Sequence, residues 1–121
     1  MENLQLMVVE LLPILGEPIS TIFEIKQNDT LPPLRLRLTS GGVPVNLAAA
    51  TLHLRIAGIG TRAMVVEDFT QAVVRYDWQA MDTAAPGTYV AEIKVQFAGS
   101  ARQTIPTIGQ IVIRVHREVP A

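Results

Sequence analysis

Residues 72–97, AVVRYDWQAMDTAAPGTYVAEIKVQF, constrain the fold more than any other stretch. Val74, Tyr76 and Trp78 fall on one side of a two-residue repeat, with Val73, Arg75 and Asp77 on the other. Further on, Tyr89, Ala91, Ile93, Val95 and Phe97 share one side, while Thr88, Glu92, Lys94 and Gln96 take the other. A period of two is the mark of a strand, whose successive side chains point to opposite faces. The stretch holds the single tryptophan and both tyrosines. These large apolar surfaces are expected to seed the core.

Between the two strands lies the corner Asp82-Thr83-Ala84-Ala85-Pro86-Gly87-Thr88-Tyr89. Asp82 suits the cap of a short turn, Pro86 fixes a backbone angle, and Gly87 tolerates positive φ. Two roles are open for Tyr89. Its hydroxyl can reach back to an upstream backbone group, as in the tyrosine corner of immunoglobulin-like sandwiches, or it can be a half-buried core tyrosine. Both concern folding rather than catalysis.

The rest of the chain reads as more strands. Residues 20–26 alternate, and 27–30 form a turn. In residues 33–39, Leu34, Leu36 and Leu38 point inward, with Arg35 and Arg37 outward on a solvated face. Ser40-Gly41-Gly42 turns the chain into a short edge segment, Val43 to Leu47, where Pro44 cannot donate to a central ladder. Residues 51–57 place Leu52, Leu54 and Ile56 opposite His53 and Arg55. Residues 62–68 read as one strand with Met64 and Val66 inward and Phe69 as a further candidate. After a turn at 98–100, a return strand runs from Ala101 to an interruption at Pro106. The last strand spans 109–118, with Ile111, Ile113 and Val115 on one face. Seven to eight evenly spaced strands, with no helix in the body, predict an all-β fold, an immunoglobulin-like antiparallel β-sandwich.

Residues 1–19 differ from this 20–121 body. They are apolar on nearly every side yet carry Glu10 and Pro13, and they are too short for a membrane span. A helical stripe of Leu4, Met7, Val8 and Leu11 and a strand alternation of Leu4, Leu6 and Val8 both fit. A segment apolar all round needs cover on more than one side. Leu4, Leu6, Val8, Leu11, Leu12, Ile14 and Leu15 are therefore expected to contact a neighbouring chain, unless the segment closes the domain's own core as an added strand or helix.

Charge and composition exclude several functions. Only 17% of residues are charged, the formal net charge is -1, and cysteine is absent. No nucleic-acid surface, membrane patch, disulfide framework or thiolate metal site is expected. The loose G-x-G-x-x-A match at Gly58–Ala63 precedes a strand instead of a helix, so it reads as a hairpin turn and not a dinucleotide site. His53 and His116 sit on outward strand faces without a second ligand at metal spacing. No serine lies in a nucleophile elbow, and the adjacent Glu67 and Asp68 point apart on a strand. The expectation is therefore no catalytic constellation, no cofactor and no metal.

Short motifs carry a resemblance. Lys26-Gln27-Asn28-Asp29-Thr30-Leu31-Pro32-Pro33, Val43-Pro44-Val45-Asn46-Leu47-Ala48-Ala49-Ala50-Thr51, Asp82 through Tyr89, and Gly99 with Pro106 resemble a family of tailed-phage virion domains. The best known of these are the N-terminal domains of phage baseplate upper proteins. Asn28 stands where that family has Gly, and Asn46 where it has Asp; no long extension is expected after the body. The resemblance implies a non-enzymatic adaptor or decoration subunit. It would dock on capsid, connector, tail or baseplate, bind other virion proteins and copies of itself, and assemble in the host cytoplasm. A carbohydrate-binding module is the alternative expectation. It is disfavoured because aromatics make up 5% of the chain and Tyr76, Trp78 and Tyr89 are committed to the core.

Overall fold

Sequence alternation reappears as alternating burial. Leu34, Leu36 and Leu38 are buried between half-buried arginines, and Leu52, Leu54 and Ile56 alternate with exposed Thr51, His53 and Arg55. The computed structural model describes residues 7–11 (backbone only), 21–107 and 109–120. Among the described residues there are eleven strands: β1 (Met7–Leu11), β2 (Ile22–Lys26), β3 (Leu34–Ser40), β4 (Val43–Pro44), β5 (Thr51–Ile56), β6 (Gly60–Ala63), β7 (Val65–Asp68), β8 (Val73–Tyr76), β9 (Gly87–Gln96), β10 (Arg102–Ile105) and β11 (Ile111–His116). The only helical pieces among them are short 3-10 turns at Ala80–Thr83 and Ala98–Ser100.

The strands form a two-sheet β-sandwich. One sheet has the order β1-β3-β8-β7, with β4 beside β3. The other has the order β2-β11-β9-β5-β6, with β10 beside β9. Leu34, Leu36 and Leu38 from the first sheet meet Leu54, Ile56, Ile93, Ile111 and Ile113 from the second, all at 1% exposure or less. Burying each such side chain fully is worth about 1.5–3 kcal/mol. Trp78 closes one part of this core: Phe23 stacks on it at 5.6 Å and Tyr76 meets it edge-on at 5.1 Å.

Three features go beyond the expected seven or eight strands. First, residues 62–68 do not form one strand. The chain breaks at Met64, leaving β6 paired with β5 and β7 paired with β8, in different sheets. Met64 is buried at the crossing, and its N–H donates to the Leu52 carbonyl at 3.0 Å. Phe69 lies outside the core at 59% exposure. One straight strand cannot pair in two sheets, so the corner residue turns inward and its neighbours change sides.

Second, β1 is an edge strand. It pairs antiparallel with β3, from Met7 opposite Ser40 to Leu11 opposite Leu36. Val8 and Leu11 therefore lie in a strand whose backbone pairs within the same chain, and this pairing crosses the expected 1–19 and 20–121 division. Leu4, Leu6, Leu12, Ile14 and Leu15 lie outside the described residues. Third, β2 pairs with β11 in parallel, while the other strand pairs are antiparallel. This one pairing brings residues 22–26 beside 112–116.

Candidate functional site

The ten-residue β9 is the spine of the second sheet. One of its edges pairs with β5, and the other with β11 and then β10. Its inward side chains, Ala91, Ile93 and Val95, are buried. Its outward side chains therefore define rows across the outer face, spaced two residues apart, or about 6.6–6.8 Å.

Register assigns the rows. Val90 lies opposite Val112, which lies opposite Ile22 on β2, and Ala57 donates its N–H to the Val90 carbonyl. The result is an outward apolar row with Ile22 and Val90 each 37% exposed. The next row pairs Glu92 with Arg55 and Thr61, and the next joins Thr104, Lys94 and His53. The last row joins Arg102, Gln96 and Thr51. Two shallow hollows share this face. One, of about 500 Å³, lies over Ala57, Ile59, Val90 and Glu92. The other, of about 670 Å³, lies over His53, Lys94, Arg102 and Thr104. Arg55 and Thr61 line both hollows, so they adjoin.

The charges on the two sheets are arranged differently. On the first sheet, Arg35 donates to Glu67 in a two-pronged pair, Arg75 Nη1 lies 3.6 Å from the same carboxylate, and Arg75 Nε donates to Asp77 at 3.1 Å. The Arg35 hydrogen bonds hold the Glu67 carboxyl below its usual range, against the opposing effect of burial. On the second sheet, Lys94 Nζ donates to Thr104 Oγ1 at 2.8 Å and lies 3.6 Å from Glu92. The side chains of His53, Arg55 and Arg102 make no hydrogen bond or ion pair among the described residues. Such a face offers unspent donors to a carboxylate or another anion. The sequence alone does not reveal an electrostatic surface, because Arg55, Lys94 and Arg102 come from three strands. Only the pairing of β5, β9 and β10 brings them together.

The other expected residues serve the fold. Asp82 does more than cap a turn. It is 3% exposed and accepts from Tyr76 Oη, from the Gln79 N–H at 2.9 Å and from Arg62 Nε at 2.9 Å. Tyr89 Oη donates to the Ala85 carbonyl at 2.6 Å, which is a tyrosine corner. Gly87 sits at φ 155°, and a side chain there would lie 3.7 Å from the Tyr89 ring. Pro86 is half-buried in the same corner. Asn28 adopts φ 68°, a left-handed conformation that Asn tolerates better than most residues. Gly58 turns the β5–β6 hairpin, as predicted for the loose glycine motif.

One histidine has a partner that its sequence position did not reveal: His116 Nε2 lies 2.7 Å from Glu24 Oε1 across the parallel β2–β11 pair. No group of three His, Asp or Glu placed to hold a metal occurs among the described residues.

No family model and no curated protein matches the chain. The fold is similar to that of CopC. The solved structure of CopC from Methylosinus trichosporium OB3b superposes with a TM-score of 0.51 at 13% identity, covering 84% of this chain and 90% of that one. At this identity the likeness shows the β-sandwich fold. It also corrects the virion-adaptor function expected from the short motifs, because the comparison leads to CopC and not to a capsid, connector, tail or baseplate protein. The motif residues explain the misdirection. Asp82 to Tyr89 encode a corner that sandwiches of many functions share, so they report architecture and not a partner.

Proposed function

We propose that this chain is a non-catalytic interaction domain that binds an anionic ligand on the outer face of its six-stranded sheet. The observation that carries this reading is the contrast between the sheets. The arginines of β3 and β8 that face Glu67 and Asp77 are neutralised, whereas His53, Arg55 and Arg102 line the outer hollows and make no ion pair among the described residues, even though Glu92 lies opposite Arg55. Strand pairing fixes the backbones beneath them, so the side chains are presented at set spacings and lose little freedom on binding. Thr51, Thr61, Thr104 and Gln96 fringe the cations with hydroxyl and amide groups that can hydrogen-bond a polar ligand.

The test is an amide chemical-shift titration of the isotopically labelled chain with pentaglutamate. Shifts are expected on β5, β9 and β10 at about 0.01 M salt and should vanish near 1 M, where screening shortens from about 30 Å to about 3 Å. The Arg55→Glu/Lys94→Glu variant should keep the fold and lose the response. An unchanged response in that variant, or no response in the parent, overturns the reading.

A further inference from the structure

The rows on the outer face also specify the form of the ligand. We propose, building on the interaction reading above, that this face takes an extended peptide segment running along β9, with one apolar residue followed by acidic residues at the second and fourth positions after it. Three observations converge. The apolar row of Ile22, Val112 and Val90 crosses three strands on a surface that otherwise carries polar groups. Exposed apolar groups in contiguous rows mark contact surfaces more often than isolated ones do. Next along β9 comes Glu92 opposite Arg55, and then Lys94 opposite His53.

The spacing selects an extended chain. These rows are about 6.6–6.8 Å apart, which is also the distance between alternate side chains of an extended peptide. A residue seated on Val90, on its Ala57 side, puts the side chain two positions on over the Glu92 and Arg55 row, and the one four positions on beside Lys94 and His53. A helix rises only about 5.4 Å per turn and brings same-face side chains at three and four positions, so it fits the rows less well. Glu92 lies in the Arg55 row and is offset by Lys94 at 3.6 Å, so Arg55 and Arg102 carry the excess positive charge over these rows. Charge complementarity thus favours an acidic segment over a basic or neutral one.

The experiment compares Val-Thr-Glu-Thr-Glu, capped at both ends, with its composition-matched isomer Thr-Val-Glu-Thr-Glu, in which the valine faces away from the two glutamates. The first should bind the full chain about ten-fold more tightly, the factor that corresponds to about 1.4 kcal/mol, just below the range for fully burying one aliphatic side chain, as suits a partly covered valine. A Val90→Thr/Val112→Thr variant that keeps the fold should abolish the difference between the two isomers. Equal affinity of the two isomers for the parent chain sinks the extended-segment proposal and leaves the anionic face standing. Failure of pentaglutamate as well sinks the face itself. Tighter binding by a sulfated oligosaccharide than by either peptide would replace the peptide with a glycan.

Discussion

Arg62 on β6 donates from Nε to Oδ1 of the buried Asp82 at 2.9 Å, while Tyr76 on β8 donates to the other oxygen of the same carboxylate. One side chain thus ties the two sheets together at the end of the sandwich. Asp82→Ala strips the acceptor from Tyr76 and from the Gln79 N–H, each costing about 1–2 kcal/mol when orphaned. The expected loss is about 2–4 kcal/mol in urea unfolding. Arg62→Ala should cost less, because Arg62 is partly exposed. A double-mutant cycle should give a coupling above about 0.5 kcal/mol; strict additivity would show that the ion pair contributes nothing.

The same cluster sets the dependence on pH. Burial by itself would push the Asp82 carboxyl up, but the Tyr76 hydroxyl, the Gln79 N–H and Arg62 together hold it below its ordinary value. The unfolded state therefore binds the proton first, and the stability from Asp82 is present above its unfolded value and lost as pH falls through the folded one. Tyr76 works in the opposite sense. Burial, then its bond to Asp82, pushes its phenol up to about 12. Its contribution holds below the unfolded value near 10 and is lost as pH rises from there to about 12. Melting temperature against pH should fall at both ends. Asp82→Asn should flatten the acid limb, and Tyr76→Phe should remove the part of the alkaline limb that this phenol causes.

The tyrosine corner is separable from packing. Tyr89→Phe keeps the half-buried ring and removes only the bond to the Ala85 carbonyl. A loss of about 0.5–1.5 kcal/mol is expected, the usual net worth of one such bond. A change under about 0.2 kcal/mol by chemical denaturation would mean that water replaces the hydroxyl at the Ala85 carbonyl without cost.

Removing residues 1–11 should uncover the β3 edge that β1 pairs along residues 36–40. Unpaired edges recruit other strands. Light scattering is expected to show self-association of the shortened chain, together with a lower melting temperature. A shortened chain that stays monomeric and equally stable would show that β1 is not needed to protect that edge.

Within the face, Arg55→Glu and Lys94→Glu change exposed or half-buried outward positions on paired strands. Each is expected to alter stability by less than about 0.5 kcal/mol. A large loss of stability would show that these cations hold the sheet together and are not reserved for a ligand.

The sequence was legible where a side chain's fate depends on its neighbours one and two positions away. Leu34, Leu36, Leu38, Leu52, Leu54, Ile56, Ile93, Ile111 and Ile113 were placed in the core by alternation alone, and the Asp82–Tyr89 corner by its turn residues. The split at Met64 was not legible, because β6 and β7 together keep the pattern of one strand. The role of Asp82 was seen only in part. Its turn was predictable, but Arg62 lies twenty positions earlier and on the other sheet. The short-range motifs even misled, since a shared corner suggested a shared function.

By itself the sequence determined that this chain pairs strands into a sandwich around Trp78, since a period of two and a supply of inward Leu, Ile and Val leave few other ways to bury so much apolar surface. The tertiary structure alone decided which outward residues meet. Register across β10, β9 and β5 set Arg102, Lys94, His53 and Arg55 on one surface, and the parallel β2–β11 pair joined Ile22 to Val112. Local pattern fixes which face a side chain takes. Only long-range hydrogen bonding fixes its neighbours across strands, and on this sheet those neighbours make the candidate site.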